Sequence, residues 1–250
     1  MRVCIVTPYY QEPRAWIERC IASVRAQTAA CDHLLVADGF PQDWIDQAGV
    51  RHLKLDRAHA DFGNTPRALG GQLAIAEGYD AVAFLDADNW LDPGHVQACI
   101  EAAQRSAADV VCAQRRLVRE DGSTMPIRVS DDADGTHVDT NCYFLLFGAF
   151  HAIPRWLLMP RPMAIMGDRF FLSSLREEQL KMARTDTVTV NYLCTWSAIY
   201  EQIGEVPPAF AKPNVANDRF VHWVRQLQPG DFERVRRLSG VDLPRYFKAA

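Results

Sequence analysis

Short apolar runs alternate with amphipathic stretches through the first 113 residues. Residues 3–7 are almost continuously apolar, the pattern of a strand buried on both faces of a parallel sheet. Pro13 suits the first turn of a helix. Trp16, Ile17, Cys20, Ile21 and Val24 then recur at helical spacing and give that helix one buried face. Residues 33–37 predict a second strand ending at Asp38-Gly39, and residues 50–55 a weaker third. Thr65-Pro66 has the pattern of an N-cap and first helical position, opening a helix to about Glu77. Gly78-Tyr79-Asp80 turns the chain into a fourth strand over 81–85. Asp92-Pro93 repeats the cap signal ahead of a helix reaching Arg105, and 109–113 reads as a fifth strand.

Beyond residue 114 the alternation breaks. Residues 120–123 read as a hairpin turn, 131–135 as an exposed acidic loop, and 138–147 as one long strand. A helix is expected near Asp168 and a strand over 188–193. Phe220, Trp223, Val224 and Leu227 predict a C-terminal amphipathic helix packed on the body. The expected fold class is α/β, an open, mainly parallel sheet with helices on both faces. A nucleotide-binding half over 1–113 would be followed, within one domain, by an irregular acceptor-side half over 114–250.

Composition narrows the function classes. A formal charge of −4 over 250 residues lacks the basic excess of a nucleic-acid binder. No segment reaches about 18 uncharged apolar residues, so neither a membrane span nor a signal peptide is expected. The seven cysteines include no Cys-x-x-Cys pair and mostly sit in apolar runs, as reduced thiols of a cytoplasmic protein would. Peripheral attachment to the inner face of a membrane and homo-oligomer formation stay open.

The chemistry concentrates at strand ends, where open α/β sheets bind ligands. Asp86 and Asp88 directly follow the fourth strand, and an extended backbone would point both carboxylates to one side. Two such charges beside apolar surface raise one another's pKa unless a cation lies between them, and Mg2+ or Mn2+ is commonly held by one or two carboxylates plus phosphate oxygens. A polar strand end is the plain alternative. Asp38 could accept from a base or ribose, or form an Asx turn ahead of Pro41. Tyr9 and Tyr10 could stack on a base or simply pack.

In chain order these pieces resemble the family 2 glycosyltransferases, which have the GT-A, Rossmann-like fold. The pieces are Val3-Cys4-Ile5-Val6-Thr7-Pro8-Tyr9-Tyr10, Val36-Ala37-Asp38-Gly39, Gly63-Asn64-Thr65-Pro66-Arg67-Ala68-Leu69-Gly70, Phe84-Leu85-Asp86-Ala87-Asp88-Asn89 and Met166-Gly167-Asp168-Arg169-Phe170. The resemblance implies an inverting, metal-dependent transfer from a nucleotide-diphosphate sugar to a sugar, lipid-linked or small-molecule acceptor. Thr7, Pro8, Tyr9, Asp38, Arg67, Asp86 and Ala87 would bind the donor. Asp88 would hold the metal, with Asp86 supporting and His222 a further candidate ligand. Asp168 would be the catalytic base, and Asp139 and Asn141 would lie on the acceptor side. Gly167 stands where the family usually has Glu. Two competing readings remain: a sugar-phosphate nucleotidyltransferase, disfavoured because the loop after the first strand has no Gly-rich basic segment, and a degenerate relative that binds without turnover.

Overall fold

The computed structural model describes residues 1–127, 137–213 and 218–249. Eight strands form one sheet: β1 (Val3–Tyr9), β2 (Asp32–Ala37), β3 (Arg51–Lys54), β4 (Ala81–Phe84), β5 (Trp90–Leu91), β6 (Val110–Val118), β7 (Tyr143–Leu146) and β8 (Met182–Leu193), in the order β3-β2-β1-β4-β7-β6-β8-β5. The first four run parallel, as the alternation of strand and helix requires. Every residue of β1 is buried, matching its unbroken apolar run.

Helices α1 (Arg14–Arg25) and α2 (Asn64–Ala76) cover opposite faces of this layer. Ile17 and Ile21 of α1 pack with Leu35 and Ala37, whereas Gly70 of α2 rests against Val6 and Val36. Successive residues of a strand face opposite sides, so Leu35 and Val36 separate the two layers. Helix α3 (His95–Ser106) packs on β6 and β8.

The second half departs from expectation in one important element. Residues 138–147 do not form a single long strand. Asp139 caps a 3-10 turn over Thr140–Cys142 by accepting from the Asn141 amide at 3.0 Å, and only Tyr143–Leu146 pairs as β7. A side chain that bonds its own backbone two residues on competes with the ladder. β7 then inserts antiparallel between β4 and β6, and β5 pairs antiparallel with β8, so the sheet is mixed. The acidic loop expected at 131–135 lies outside the described residues.

Two helix starts also differ. α2 is capped by Gly63 rather than Thr65, with the Asp61 carboxylate taking the Thr65 amide at 3.0 Å and its hydroxyl at 2.6 Å. α3 begins at His95, because Asp92 is drawn away into a two-contact pair with Arg116 at 2.6 and 2.7 Å.

Trp156, on the short helix α4 (Arg155–Leu158), joins the halves. It is almost fully buried, meets Phe84 of β4 edge-on at 4.9 Å and stacks on Phe171 at 3.8 Å. Phe171 belongs to α5 (Gly167–Glu177), so one indole fixes the Asp168 helix against the strand that ends at Asp86. Aromatic pairs in these arrangements add about 0.5–1.5 kcal/mol each beyond their buried area. After the short helix α6 (Ser197–Gln202), the C-terminal helices α7 (Asp218–Gln226), α8 (Pro229–Ser239) and α9 (Leu243–Ala249) close the chain. Phe220 is buried as expected and packs against Phe170.

Candidate active site

A cleft of about 450 Å³ opens at the carboxyl ends of β1, β2 and β4. Open sheets place their ligands there. One wall includes Pro8, Tyr10, Asp38, Phe62 and the strand-end pair Asp86 and Asp88. Its far wall includes Asp139, Asp168, Trp196 and Lys212.

Asp86 and Asp88 have unlike surroundings. The Asp86 carboxylate accepts from Arg67 Nη2 at 2.7 Å, Asn141 Nδ2 at 3.1 Å and Thr140 Oγ1 at 3.3 Å. Its amide donates to Asn141 Oδ1 at 2.5 Å. Asp88 receives a hydrogen bond from no side chain among the described residues; Arg19 binds only its carbonyl, at 3.2 Å. Its pKa is raised to about 7, by desolvation first and then by the charges of Asp86 and Glu12, against a weaker opposing effect of Lys212. Asn89 pins the turn by accepting from the Leu193 amide at 2.8 Å. One carboxylate is therefore fixed by the protein, and the other is presented to the cleft.

Several expected donor residues serve other tasks. Arg67 is 2% exposed and bonded to Asp86 and to Asn64 Oδ1 at 3.3 Å, above the Trp156 ring. It lines the cleft with its guanidinium paired to Asp86. Thr7 is fully buried and bonded to His33 Nε2 at 2.8 Å, so it faces the core rather than a ligand. Ala87 packs in the apolar cluster around Tyr9. The Tyr9 hydroxyl is engaged by His52 at 2.7 Å and the Gln42 amide at 3.0 Å, while the residue still lines the cleft. His222 is exposed on α7, hydrogen-bonded to Gln226 at 2.9 Å, and is not part of the cleft wall.

Asp38 does lie at the cleft, but it also organises the loop that forms the wall. Its Oδ1 accepts from the His59 amide and Nδ1 at 2.9 and 2.8 Å, and its Oδ2 from the Ala60 amide at 2.9 Å. Gly39 makes this possible: at φ +80° it has no Cβ, where one would lie 2.2 Å from the Ala58 nitrogen. The same loop holds Ala60 at φ +50° and Phe62 at φ +60°, a region bulky residues seldom occupy. Phe62 is 63% exposed at the cleft mouth.

On the far wall the carboxylates carry their own partners. Asp139 accepts from Asn141 Nδ2 at 2.6 Å and Arg115 Nη1 at 3.1 Å. Asp168 lies in the first turn of α5. Its Oδ1 takes the Arg169 amide at 2.7 Å, and its Oδ2 meets His137 Nε2 at 2.5 Å. Burial opposes ionisation of Asp168, but the bond and charge of His137 outweigh it and lower the pKa. Burial likewise opposes a charged His137, and Asp168 outweighs it and raises the ring. His137, Asp139 and Asp168 bring ligand-type atoms within 4.8 Å of one another. Arg115 supplies a positive charge beside this group, and burial nevertheless raises the pKa of Asp139.

Gly167 has a physical reason. A Cβ there would stand 2.9 Å from Asn64 Oδ1 and 3.0 Å from its Nδ2. Asn64 occupies the space into which a side chain at position 167 would project, and it accepts from Arg67, which in turn holds Asp86. His137, Lys212, Asn64, Phe62 and Trp196 were not among the sequence candidates. Asn64 sits inside a matching piece but was not singled out, the others lie in no quoted motif, and His137 reaches Asp168 across 31 residues.

The family model for glycosyl transferase family 2 matches residues 4–131, just over half the chain. The chain belongs to glycosyl transferase family 2. No curated protein sequence matches it. Among solved structures, S. aureus TarS resembles it with a TM-score of 0.60 at 12% identity, over 80% of this chain and 38% of that one. TarS 1-349 in complex with UDP gives 0.60 at 11% identity, over 99% of this chain and 72% of the other. The complex with UDP-GlcNAc gives 0.63 at 11% identity, with 99% and 73% coverage. The family 2 chain thus spans well under half of the longest of these relatives. At these identities the likeness establishes the fold, which is the expected GT-A-like α/β architecture. No helix of the described residues is long and apolar enough to cross a membrane.

Proposed function

We propose that this family 2 glycosyltransferase moves a sugar from a nucleoside diphosphate to an acceptor hydroxyl, with inversion and with a divalent cation at Asp88. Residues 1–113 form the donor half in this reading, and 114–250 the acceptor-side half. TarS has been captured with UDP-GlcNAc, which makes that nucleotide sugar the first donor to test.

The observation that carries the reading is the charge imbalance around Asp88. The cleft wall holds Glu12, Asp38, Asp86, Asp88, Asp139 and Asp168 against Arg67 and Lys212. Arg67 is committed to Asp86. A diphosphate would not enter so acidic a cleft unaided. Asp88, with a raised pKa and no side-chain donor among the described residues, offers the hard oxygen ligand that Mg2+ or Mn2+ prefers. Such an ion, when bound, neutralises charge on the departing diphosphate.

The protein's own residues would do the rest. Asp86, fixed by Arg67 and Asn141, sets the turn that presents Asp88. Pro8, Tyr10, Asp38 and Phe62 wall the end of the cleft suited to a nucleobase. Asp168, kept ionised, accepts the acceptor hydroxyl proton as the new glycosidic bond forms at the anomeric carbon and the bond to the diphosphate breaks. Asp139 and Asn141 brace this side, Asn141 linking it to Asp86.

The deciding assay incubates the protein with radiolabelled UDP-GlcNAc and other nucleotide sugars in Mn2+, with and without EDTA. Release of nucleoside diphosphate that EDTA abolishes is the expected result. Pyrophosphate formation from nucleoside triphosphate and sugar phosphate would replace this reading with a nucleotidyltransferase. Binding of donors without any turnover would make the chain a degenerate relative.

A further inference from the structure

We propose that His137 is the positioning residue of the proton-accepting carboxylate, holding Asp168 by a hydrogen bond from its Nε2 so that one oxygen edge faces the acceptor. The inference rests on the reading of Asp168 as the base, and it adds a residue from outside the matched family segment, which ends at residue 131.

The geometry is specific at both ring nitrogens. Nε2 stands 2.5 Å from Asp168 Oδ2, a close contact between a ring N–H and a carboxylate. Nδ1 faces Arg115 Nη2 at 3.5 Å. A guanidinium only donates, so in the neutral ring Nδ1 is the bare acceptor and Nε2 carries the proton toward Asp168. Arg115 is itself held by Asp139 and lies over the Tyr192 ring at 4.7 Å. The ring is buried, so its place is set by packing as well as by its bonds.

Asp168 cannot be oriented by its own helix alone. Among the described residues its Oδ1 bonds only the adjacent Arg169 amide, and the helix cap at Met166 contributes no side-chain bond. Side-chain rotation about that one local contact would carry Oδ2 away from the cleft, and His137 prevents it. The groups facing Asp168 among the described residues are His137, Arg169 on its own helix, and Asp139 with Arg115 behind the imidazole. The Tyr143 hydroxyl reaches the Asp168 carbonyl at 3.4 Å. As the acceptor oxygen bonds to the anomeric carbon, the bond to the diphosphate breaks and its electron pair leaves with the diphosphate, while the acceptor proton passes to the Asp168 carboxylate, which becomes a neutral acid, and His137 keeps its own proton on Nε2. No further reactant is needed.

The test compares the full chain with His137→Leu, His137→Gln and Asp168→Asn. Binding of UDP in Mn2+, measured by calorimetry, reports whether each variant keeps an intact donor side and should change by less than about twofold. Turnover of UDP-GlcNAc by His137→Leu should fall on the order of a hundredfold in kcat with little change in KM, the scale of a misplaced catalytic group. Glutamine, whose Nε2 can donate to Asp168, should recover most of that loss. The acid limb of the pH profile should move to higher pH in His137→Leu, because the partner that favours the ionised carboxylate is gone. A downfield imidazole proton resonance should be present in the unaltered protein and missing in Asp168→Asn. Wild-type kcat in His137→Leu, glutamine no better than leucine, or absence of that resonance would each overturn the positioning role. Wild-type turnover in Asp168→Asn would instead overturn the base assignment itself, so the two failures are distinguishable.

Discussion

The two sides of the cleft handle crowded carboxylates in opposite ways. On the far wall every acid has a partner within the chain: Arg115 for Asp139, and His137 for Asp168. Asp168 is consequently lowered and ready to accept a proton. On the strand-end wall Asp86 and Asp38 have partners within the chain, and Asp88 is left with desolvation and two acidic neighbours, its pKa pushed up to about 7. One side brings its own positive charge, and the other is arranged to take charge from outside. Even within the Asp86-Ala87-Asp88 turn the two carboxylates divide the work between structure and ligand binding.

Breaking the structural member should have the largest effect. Asp86→Asn leaves the buried Arg67 guanidinium without its counter-charge, and losing one partner of a buried pair costs about 3 kcal/mol or more. Urea unfolding should register that loss. Asp88→Asn should do the reverse in metal-free protein at pH 8. A carboxylate whose folded pKa stands above its ordinary value favours folding below that ordinary value and loses the benefit as pH rises through about 7. Replacing it with a neutral amide should therefore leave stability unchanged or increased.

Gly167→Glu sharpens the comparison from the other wall. It would restore the residue usual in the family, yet its Cβ would press on Asn64 and through it on Arg67. We expect a loss of about 1–3 kcal/mol by thermal unfolding, typical of overpacking, and lower turnover rather than rescue. The smallest effect is expected for Lys212→Met. Lys212 makes no ion pair among the described residues and faces the cleft, so its loss should weaken UDP by about tenfold or less while leaving uridine binding unchanged. Equal losses for both ligands would show that Lys212 is not reading phosphate charge.

The donor side was far more legible in the sequence than the acceptor side, for a physical reason. β1, β2 and β4 are short apolar runs that end directly in polar residues, so the chain itself places Asp38 and Asp86 at one edge of a parallel sheet. What the chain could not display was which of these side chains would be drawn inward. Arg67 reads as a donor-binding cation, and the sequence does not show that Trp156, far along the chain, lies beneath it. Thr7 follows an apolar run and still turns to His33 rather than to the cleft. On the acceptor side, Asp139 redirected a strand-like segment into a 3-10 turn through a two-residue side-chain bond, and that turn is what brings Asn141 to Asp86. His137 has no local pattern at all, since its partner is supplied by a helix from another part of the fold. His222 lies exposed outside the cleft lining, on a helix whose buried face is set by Phe220 two positions earlier.

The central claim is that Asp88 is the site of an added positive charge that lets diphosphate bind. Calorimetric titration of UDP into the unaltered protein and into Asp88→Asn, each in Mn2+ and in EDTA, tests it most directly. The account predicts tight binding only for the unaltered protein in Mn2+, with EDTA and the substitution producing the same loss and no further loss when combined. UDP affinity in Asp88→Asn that still rises with Mn2+ as much as in the unaltered protein would contradict it.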